Sequence, residues 1–162
     1  MRKWITLLFI LFVLLVLSCE RVELTPPLAD WQVEPVETNW VIGDEIITLI
    51  NEYRIELGLV GLIKEPNLST YLAAQHCNYM IEMGRISHDG FVDRANILSN
   101  NGAEAVGENV GFGYSSSQEL VNAWINSPEH RDILEGNYTS IGVGVRADKY
   151  NTNYFCIILT RK

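Results

Sequence analysis

Cysteine is scarce in this sequence, with three in 162 residues, and cationic side chains are scarce beside acidic ones, 12 against 20. The first shortage excludes a small scaffold stapled by several disulfides. The second leaves a formal charge of −8. No basic patch is available to displace counterions from a phosphate backbone, so nucleic acid is excluded as a partner. Binding to anionic lipid headgroups is disfavoured for the same reason. The chain has no internal repeat. Its one long apolar run lies within residues 4–17.

That run is informative. Met1-Arg2-Lys3 is a short cationic stretch, and Trp4 to Leu17 is a run of fourteen residues broken only by Thr6. This is the pattern of a secretory signal peptide, and it is too short for a transmembrane span of about 20 residues. It ends in Val16-Leu17-Ser18-Cys19, which resembles the bacterial lipobox. A thiol is needed there, because diacylglycerol is attached to sulfur before cleavage leaves that cysteine as the new N-terminus. Residues 1–18 are therefore expected to be a lipoprotein signal peptide, with Cys19 lipidated. Two acyl chains on one glyceride anchor a protein stably, which a single chain does not.

Residues 19–42 then read as an extended tether, since Pro26, Pro27 and Pro35 interrupt them and no helical apolar stripe runs through. Losing Arg2 and Lys3 with the signal leaves 10 cationic against 20 acidic residues, a net of −10. The membrane is the expected partner at this end, through lipid on Cys19. The expected location is the bacterial cell envelope, outside the cytoplasm. Cys19 is followed by Glu20-Arg21 and not by the Asp that retains lipoproteins in the inner membrane of some diderm bacteria. In a diderm host that points to the outer membrane.

Residues 43–162, roughly 120, suit one domain with a core of its own. Ile46, Ile50, Tyr53 and Leu57 recur at helical spacing before Gly58, which predicts a helix over 44–57. Asn67 opens a second helix that carries Leu72, His76, Met80 and Met83 on one stripe and stops at Gly84. Residues 91–100 read as a short third helix. Ser116-Ser117-Gln118-Glu119 is a capping box for a fourth, with Leu120, Val121, Trp124 and Ile125 on its face. Ser127-Pro128 starts a fifth, closed by Gly136.

The period then changes. Ile141, Val143 and Val145 alternate with Ser140, Gly142, Gly144 and Arg146, a strand with one bulky face and one bare face onto which other backbone can come close. Tyr154 to Leu159 is apolar on both faces, as a central strand covered from two sides would be. Residues 147–153 should join these two as a hairpin, and Val106 to Gly111 supplies a third strand. The expected class is α+β, a three-layer α-β-α sandwich around a small, mainly antiparallel sheet. Cys77 and Cys156 fit either two buried thiols or one disulfide, and spacing does not choose between them. His76 reads as a buried, hydrogen-bonded histidine on its apolar stripe.

Several fragments then fall together. These are Asn51-Glu52-Tyr53-Arg54 with Gly58-Leu59, Ser87-His88, Gly107-Glu108-Asn109-Val110, Val121-Asn122-Ala123-Trp124-Ile125, His130-Arg131 and Ile141-Gly142-Val143-Gly144. In order and spacing they resemble the bacterial branch of the CAP superfamily, which holds cysteine-rich secretory proteins, insect-venom antigens and plant pathogenesis-related proteins. The resemblance covers residues 43–160. It implies an α-β-α sandwich and an extracytoplasmic life. It also implies a cleft whose two His and two Glu can bind a divalent metal, with His88, Glu108 and His130 on three of the four positions. Ser127 stands where the second Glu is expected, three residues after Trp124. The last strand, Tyr154-Phe155-Cys156-Ile157-Ile158, lacks the Gln common in relatives.

Two neutral imidazoles and a carboxylate suit Zn²⁺ or another divalent cation, and three ligands leave a fourth position open. His130 lies at the third position of its helix, beside the positive end of the macrodipole, which favours the neutral ring. Ser127 is expected to cap that helix. A buried Glu108 needs a partner of its own, and Arg131 is a candidate. The resemblance favours a binding module that recognises a lipid, a wall component or another protein. One alternative is a metal-dependent hydrolase, with Glu108 or a nearby acid as base toward a metal-bound water. The other is a structural or adhesive surface protein with a vestigial cleft, which Ser127 at the fourth position supports. Ser87 and His88 have no nucleophile-elbow glycines around them and no orienting acid, so a Ser-His mechanism is not expected there.

Overall fold

The computed structural model describes residues 37–162. The chain divides into two units, Met1–Trp31 and Gln32–Lys162, and the described residues all belong to the second. The expected signal peptide, Cys19 and most of the expected tether lie outside the described residues, which begin at 37. Among the described residues no helix is long and apolar enough to cross a membrane.

The elements run α1 (Trp40–Glu56), β1 (Ile63–Lys64), α2 (Leu68–Met83), α3 (Phe91–Asn100), β2 (Ala105–Phe112), α4 (Ser117–Asn126), α5 (Pro128–Glu135), β3 (Ser140–Ala147) and β4 (Asn153–Arg161). Every expected helix and strand is present. α1 begins four residues before 44, because Asn39 caps it through a hydrogen bond from the Ile42 amide. The cap is tied down in turn: the Asn39 amide donates to the Val145 carbonyl, and Thr38 Oγ1 accepts from the Val145 amide. β1 was not anticipated, since two residues are too few to show a period. It exists through parallel pairing of Ile63 and Lys64 with Ser140 and Ile141.

The sheet order is β1-β3-β4-β2, with β3 and β2 both antiparallel to β4. The two-residue alternation of β4 builds the layers on either side. Phe155, Ile157 and Leu159 meet Ile46 and Ile50 of α1, Leu120 and Trp124 of α4, and Leu134 of α5. Tyr154, Cys156 and Ile158 meet Leu72, Ala73 and Met80 of α2 and Leu98 of α3. The bare face of β3 is where α2 rests. A Cβ on Gly142 would fall 2.4 Å from the Thr70 nitrogen, and one on Gly144 would fall 2.5 Å from the Ala74 nitrogen. Backbone lies directly on backbone there, as the glycine alternation predicted.

A candidate ligand cleft around Glu108

β2 is an edge strand, and its alternation separates neighbours. Glu108 and Val110 point into the layer of α2 and α3, whereas Asn109 turns toward α5 and donates to the His130 carbonyl at 3.0 Å. Glu108 is therefore buried, 5% exposed, and an ionised carboxylate at such a place must be fully hydrogen-bonded. It is. Arg94 reaches from the first turn of α3 and grips it as a fork, Nε to Oε2 at 2.7 Å and Nη2 to Oε1 at 2.8 Å. His88, in the loop between α2 and α3, donates through Nδ1 to Oε1 at 2.9 Å. The Cys156 thiol lies behind, 3.8 Å from Oε2. Burial alone would raise the pKa of Glu108, but the hydrogen bonds from His88 and Arg94 and the Arg94 charge hold it below the ordinary carboxylate range.

The rest of the cluster follows from that ion pair. Arg94 Nη1 donates to the Asp89 carbonyl at 2.9 Å, which ties the loop to α3. Gly90 takes a left-handed φ of 71° as it leads into α3. His76 lies on α2, and its Nε2–H donates to the Ser87 carbonyl at 2.6 Å while standing 4.0 Å from Glu108 Oε1. Burial, with the Arg94 and His88 charges, pushes His76 below the usual imidazole range, and the backbone bond to Ser87 only partly opposes this. The buried, hydrogen-bonded reading of His76 is correct, although it sits beside the cleft and not deep in the core.

His130 is carried by α5 on the other side of β2. Its Nδ1 is 2.7 Å from Ser127 Oγ. Ser127 occupies the N-cap position of α5, but its hydroxyl accepts no bond from the first turn. The expected side-chain cap is corrected accordingly: the hydroxyl is spent on the imidazole. Burial and then the His88 charge lower the His130 protonation constant, opposed by Glu129. A cavity of about 300 Å³ opens here, with Ile86, Phe112, Tyr114, Trp124, Ser127 and His130 in its wall. The Trp124 ring is fixed by a bond from Nε1 to the Val110 carbonyl at 2.9 Å. Phe112, stacked obliquely on Tyr154, stays 46% exposed, and Ile86 47%.

His88 and Glu108 thus meet at hydrogen-bond distance, and His130, close enough to feel the His88 charge, is bonded instead to Ser127. Among the described residues no three His, Cys, Asp or Glu side chains gather into a metal-holding group. Both oxygens of the one carboxylate are occupied by the Arg94 fork. This donor arrangement does not fit a Zn²⁺ centre, which requires free carboxylate and imidazole lone pairs converging on one point.

Arg131 is not the partner of Glu108. It donates to the Ile125 carbonyl and lies near Glu135, on the opposite layer. Arg94, Phe112 and Tyr114 were missed from the sequence. The only hint of Arg94 was that a buried Glu108 demanded a cation. Cys77 and Cys156 are both buried free thiols, so of the two readings the unbridged one holds.

Comparison with known proteins agrees with this architecture. The profile of the cysteine-rich secretory protein family, CAP, matches residues 47–159. The Bacillus subtilis protein called "Uncharacterized membrane protein YlbC" is 28% identical over 124 residues, covering 68% of this chain and 33% of its own length. A second B. subtilis relative, YkwD, is 48% identical over 42 residues, 25% of this chain and 16% of the relative. The chain therefore spans a third or less of these curated relatives. Among solved structures, an outer surface protein of Borrelia burgdorferi superposes with a TM-score of 0.69 at 21% identity, covering 78% of this chain and 96% of the other. An extracellular protein containing a SCP domain from Bacillus anthracis gives 0.63 at 26% identity, with 74% and 40% covered.

Proposed function

The chain belongs to the CAP family of cysteine-rich secretory proteins, and from that premise we propose that it is an extracytoplasmic binding module, anchored to the cell envelope by lipid on Cys19. The observation that carries the binding reading is the cavity of about 300 Å³ beside His130, rimmed by the half-exposed Phe112 and Ile86. Large apolar side chains left open around a concave pocket with a few polar groups are the usual form of a ligand site. Ser127 and His130 supply those polar groups. The ligand is a lipid, a wall component or a protein surface with an apolar part that fills the cavity.

The location is supported by two relatives, one called a membrane protein and one described as extracellular. Anchoring is supported by the lipobox-like Val16-Leu17-Ser18-Cys19. In a diderm host the anchor would lie in the outer membrane.

The test compares wild type, Cys19→Ser and a Phe112→Ala, His130→Ala double variant, each expressed as the full chain in a bacterium with lipoprotein processing. Wild type should take up radiolabelled palmitate and be retained on either phospholipid vesicles or purified cell-wall sacculi. Cys19→Ser should lose the label. The double variant should keep the label, and when combined with Cys19→Ser, so that no acyl chain holds the protein, it should lose at least about tenfold in retention relative to Cys19→Ser alone on whichever support is bound, the loss of a good buried contact. Equal retention in that comparison would indicate a structural or adhesive surface protein with a vestigial cleft. Label on Cys19→Ser would remove the anchor.

A further inference from the structure

We propose that Arg94 is the resident cation of this cleft: its guanidinium takes the place on Glu108 that a divalent ion would need, so this member of the family is built to work without metal.

The fork is complete. Nε and Nη2 each face one carboxylate oxygen, and His88 Nδ1–H adds a third bond on Oε1. A planar guanidinium matches a carboxylate in two parallel bonds, which a point charge cannot do, so the pairing fixes direction as well as charge. Its own remaining fork is engaged too, through Nη1 on the Asp89 carbonyl. Gly90, just before α3, takes a φ of +71°, which residues with a side chain rarely adopt, and so sets the entry of the helix that carries Arg94. The imidazole nitrogens that face the carboxylate carry protons: His88 gives its Nδ1 proton to Glu108, and His76 gives its Nε2 proton to the Ser87 carbonyl, so neither of these nitrogens offers a lone pair beside Glu108.

Charge leads to the same place. The Arg94 and Glu108 side chains are 11% and 1% exposed and sum to zero. A divalent ion added there would set three positive charges against one negative, at separations of a few ångströms where water screens poorly. Metal and Arg94 therefore exclude one another. The same arithmetic accounts for Ser127. A divalent ion with two carboxylates is neutral, and so is one arginine with one carboxylate. With the cation supplied by the chain, a second acid at position 127 would be an unpaired charge, and a hydroxyl bonded to His130 fits instead. Arg94 on α3 and Ser127 before α5 thus agree in charge: the chain's own cation makes a second acid unnecessary. The inference does not depend on which ligand the cavity takes.

The test uses the full chain in detergent and Zn²⁺ alone as the probe, followed by calorimetric titration and by thermal melting with and without EDTA. Wild type should show no Zn²⁺ site that disappears in Glu108→Gln, and EDTA should leave its melting temperature unchanged. Arg94→Gln and Arg94→Ala free the carboxylate, and His88 Nδ1, 2.9 Å from it, can offer a lone pair once its proton moves to Nε2. They should gain a stoichiometric site roughly 100-fold tighter than any wild-type binding, the scale expected when one close like charge is removed. Adding Glu108→Gln should abolish the gained site. A stoichiometric wild-type site lost in Glu108→Gln overturns the proposal, and so do folded Arg94 variants that gain nothing. If Arg94→Ala does not fold, Arg94→Gln, which keeps one donor on Glu108, serves in its place, and the wild-type titration can still refute by itself.

Discussion

Replacing Arg54 by methionine is expected to cost about 3–5 kcal/mol of folding stability, a large part of the roughly 5–15 kcal/mol that holds an ordinary domain together. Arg54 is 2% exposed, and no acid faces it among the described residues. Its charge is balanced by carbonyl oxygens. Nε donates to Val60 at 2.9 Å, Nη1 to Leu134 at 2.6 Å and Gly136 at 3.0 Å, and Nη2 to Tyr138 at 3.4 Å. Two of those acceptors belong to the end of α5, the negative pole of its macrodipole, which a guanidinium complements. Methionine fills much the same volume but leaves several buried acceptors without donors, at about 1–3 kcal/mol each. Urea unfolding followed by circular dichroism measures the loss. A cost under about 1 kcal/mol would contradict this account of Arg54. Arg54→Lys should fall between, since an ammonium keeps the charge but cannot span the same fan of carbonyls.

Gly144→Ala is expected to be comparably damaging, at about 3 kcal/mol or more, and to disturb the cleft as well. The new methyl would stand 2.5 Å from the backbone carbon of Ala73 and the nitrogen of Ala74. Neither can rotate aside, so α2 must lift off β3, and overpacking that moves backbone sits at the high end of such costs. The displaced helix is the one that carries His76 beside Glu108. Gly107→Ala is the control. Its methyl would also come within 2.5 Å of an atom, but that atom is the hydroxyl of Tyr138, at the end of a side chain that can swing away. About 1 kcal/mol is expected there, offset in part by the lower chain entropy of alanine in the unfolded state. Similar losses for the two variants, read from the same urea curves, would contradict the claim that backbone contact is what distinguishes them.

These contrasts mark what was legible in the sequence. Local chemistry was readable. The capping box at Ser116 forms as written, with the Ser116 hydroxyl accepting from the Glu119 amide and Glu119 reaching back to Ser115. The glycine alternation of Gly142 and Gly144 foretold the close seat of α2, because only one periodicity leaves an empty strand face. The apolar residues on both faces of β4 foretold a central strand, and Phe155 and Cys156 face opposite cores.

What was not legible depends on three-dimensional register. The same alternation in β2 that buries Glu108 sends Asn109 toward the start of α5, where it holds the His130 carbonyl. Spacing along the chain cannot show which side of a sheet a later helix will cover. Arg94 lies fourteen residues from Glu108 in sequence, on a helix whose short length gives no strong face. Its role became visible only once α3 was seen beside β2. Ser127 was read as a cap because serine before proline at a helix start usually is one. Its hydroxyl had a competing partner one turn later, and the imidazole won.

Glu108 is held by Arg94 as a buried pair whose charges cancel, and a double-mutant cycle measures that pairing. Arg94→Met, Glu108→Gln and the double variant are compared with wild type by urea unfolding at neutral pH. Each single change should cost about 3–5 kcal/mol, because it strands the other charge out of water. The double variant should cost about 1–2 kcal/mol more than either, giving a coupling of about 2–3 kcal/mol. Single losses that add to within about 0.5 kcal/mol would mean that the two side chains stabilise the cleft independently, and the account would be contradicted.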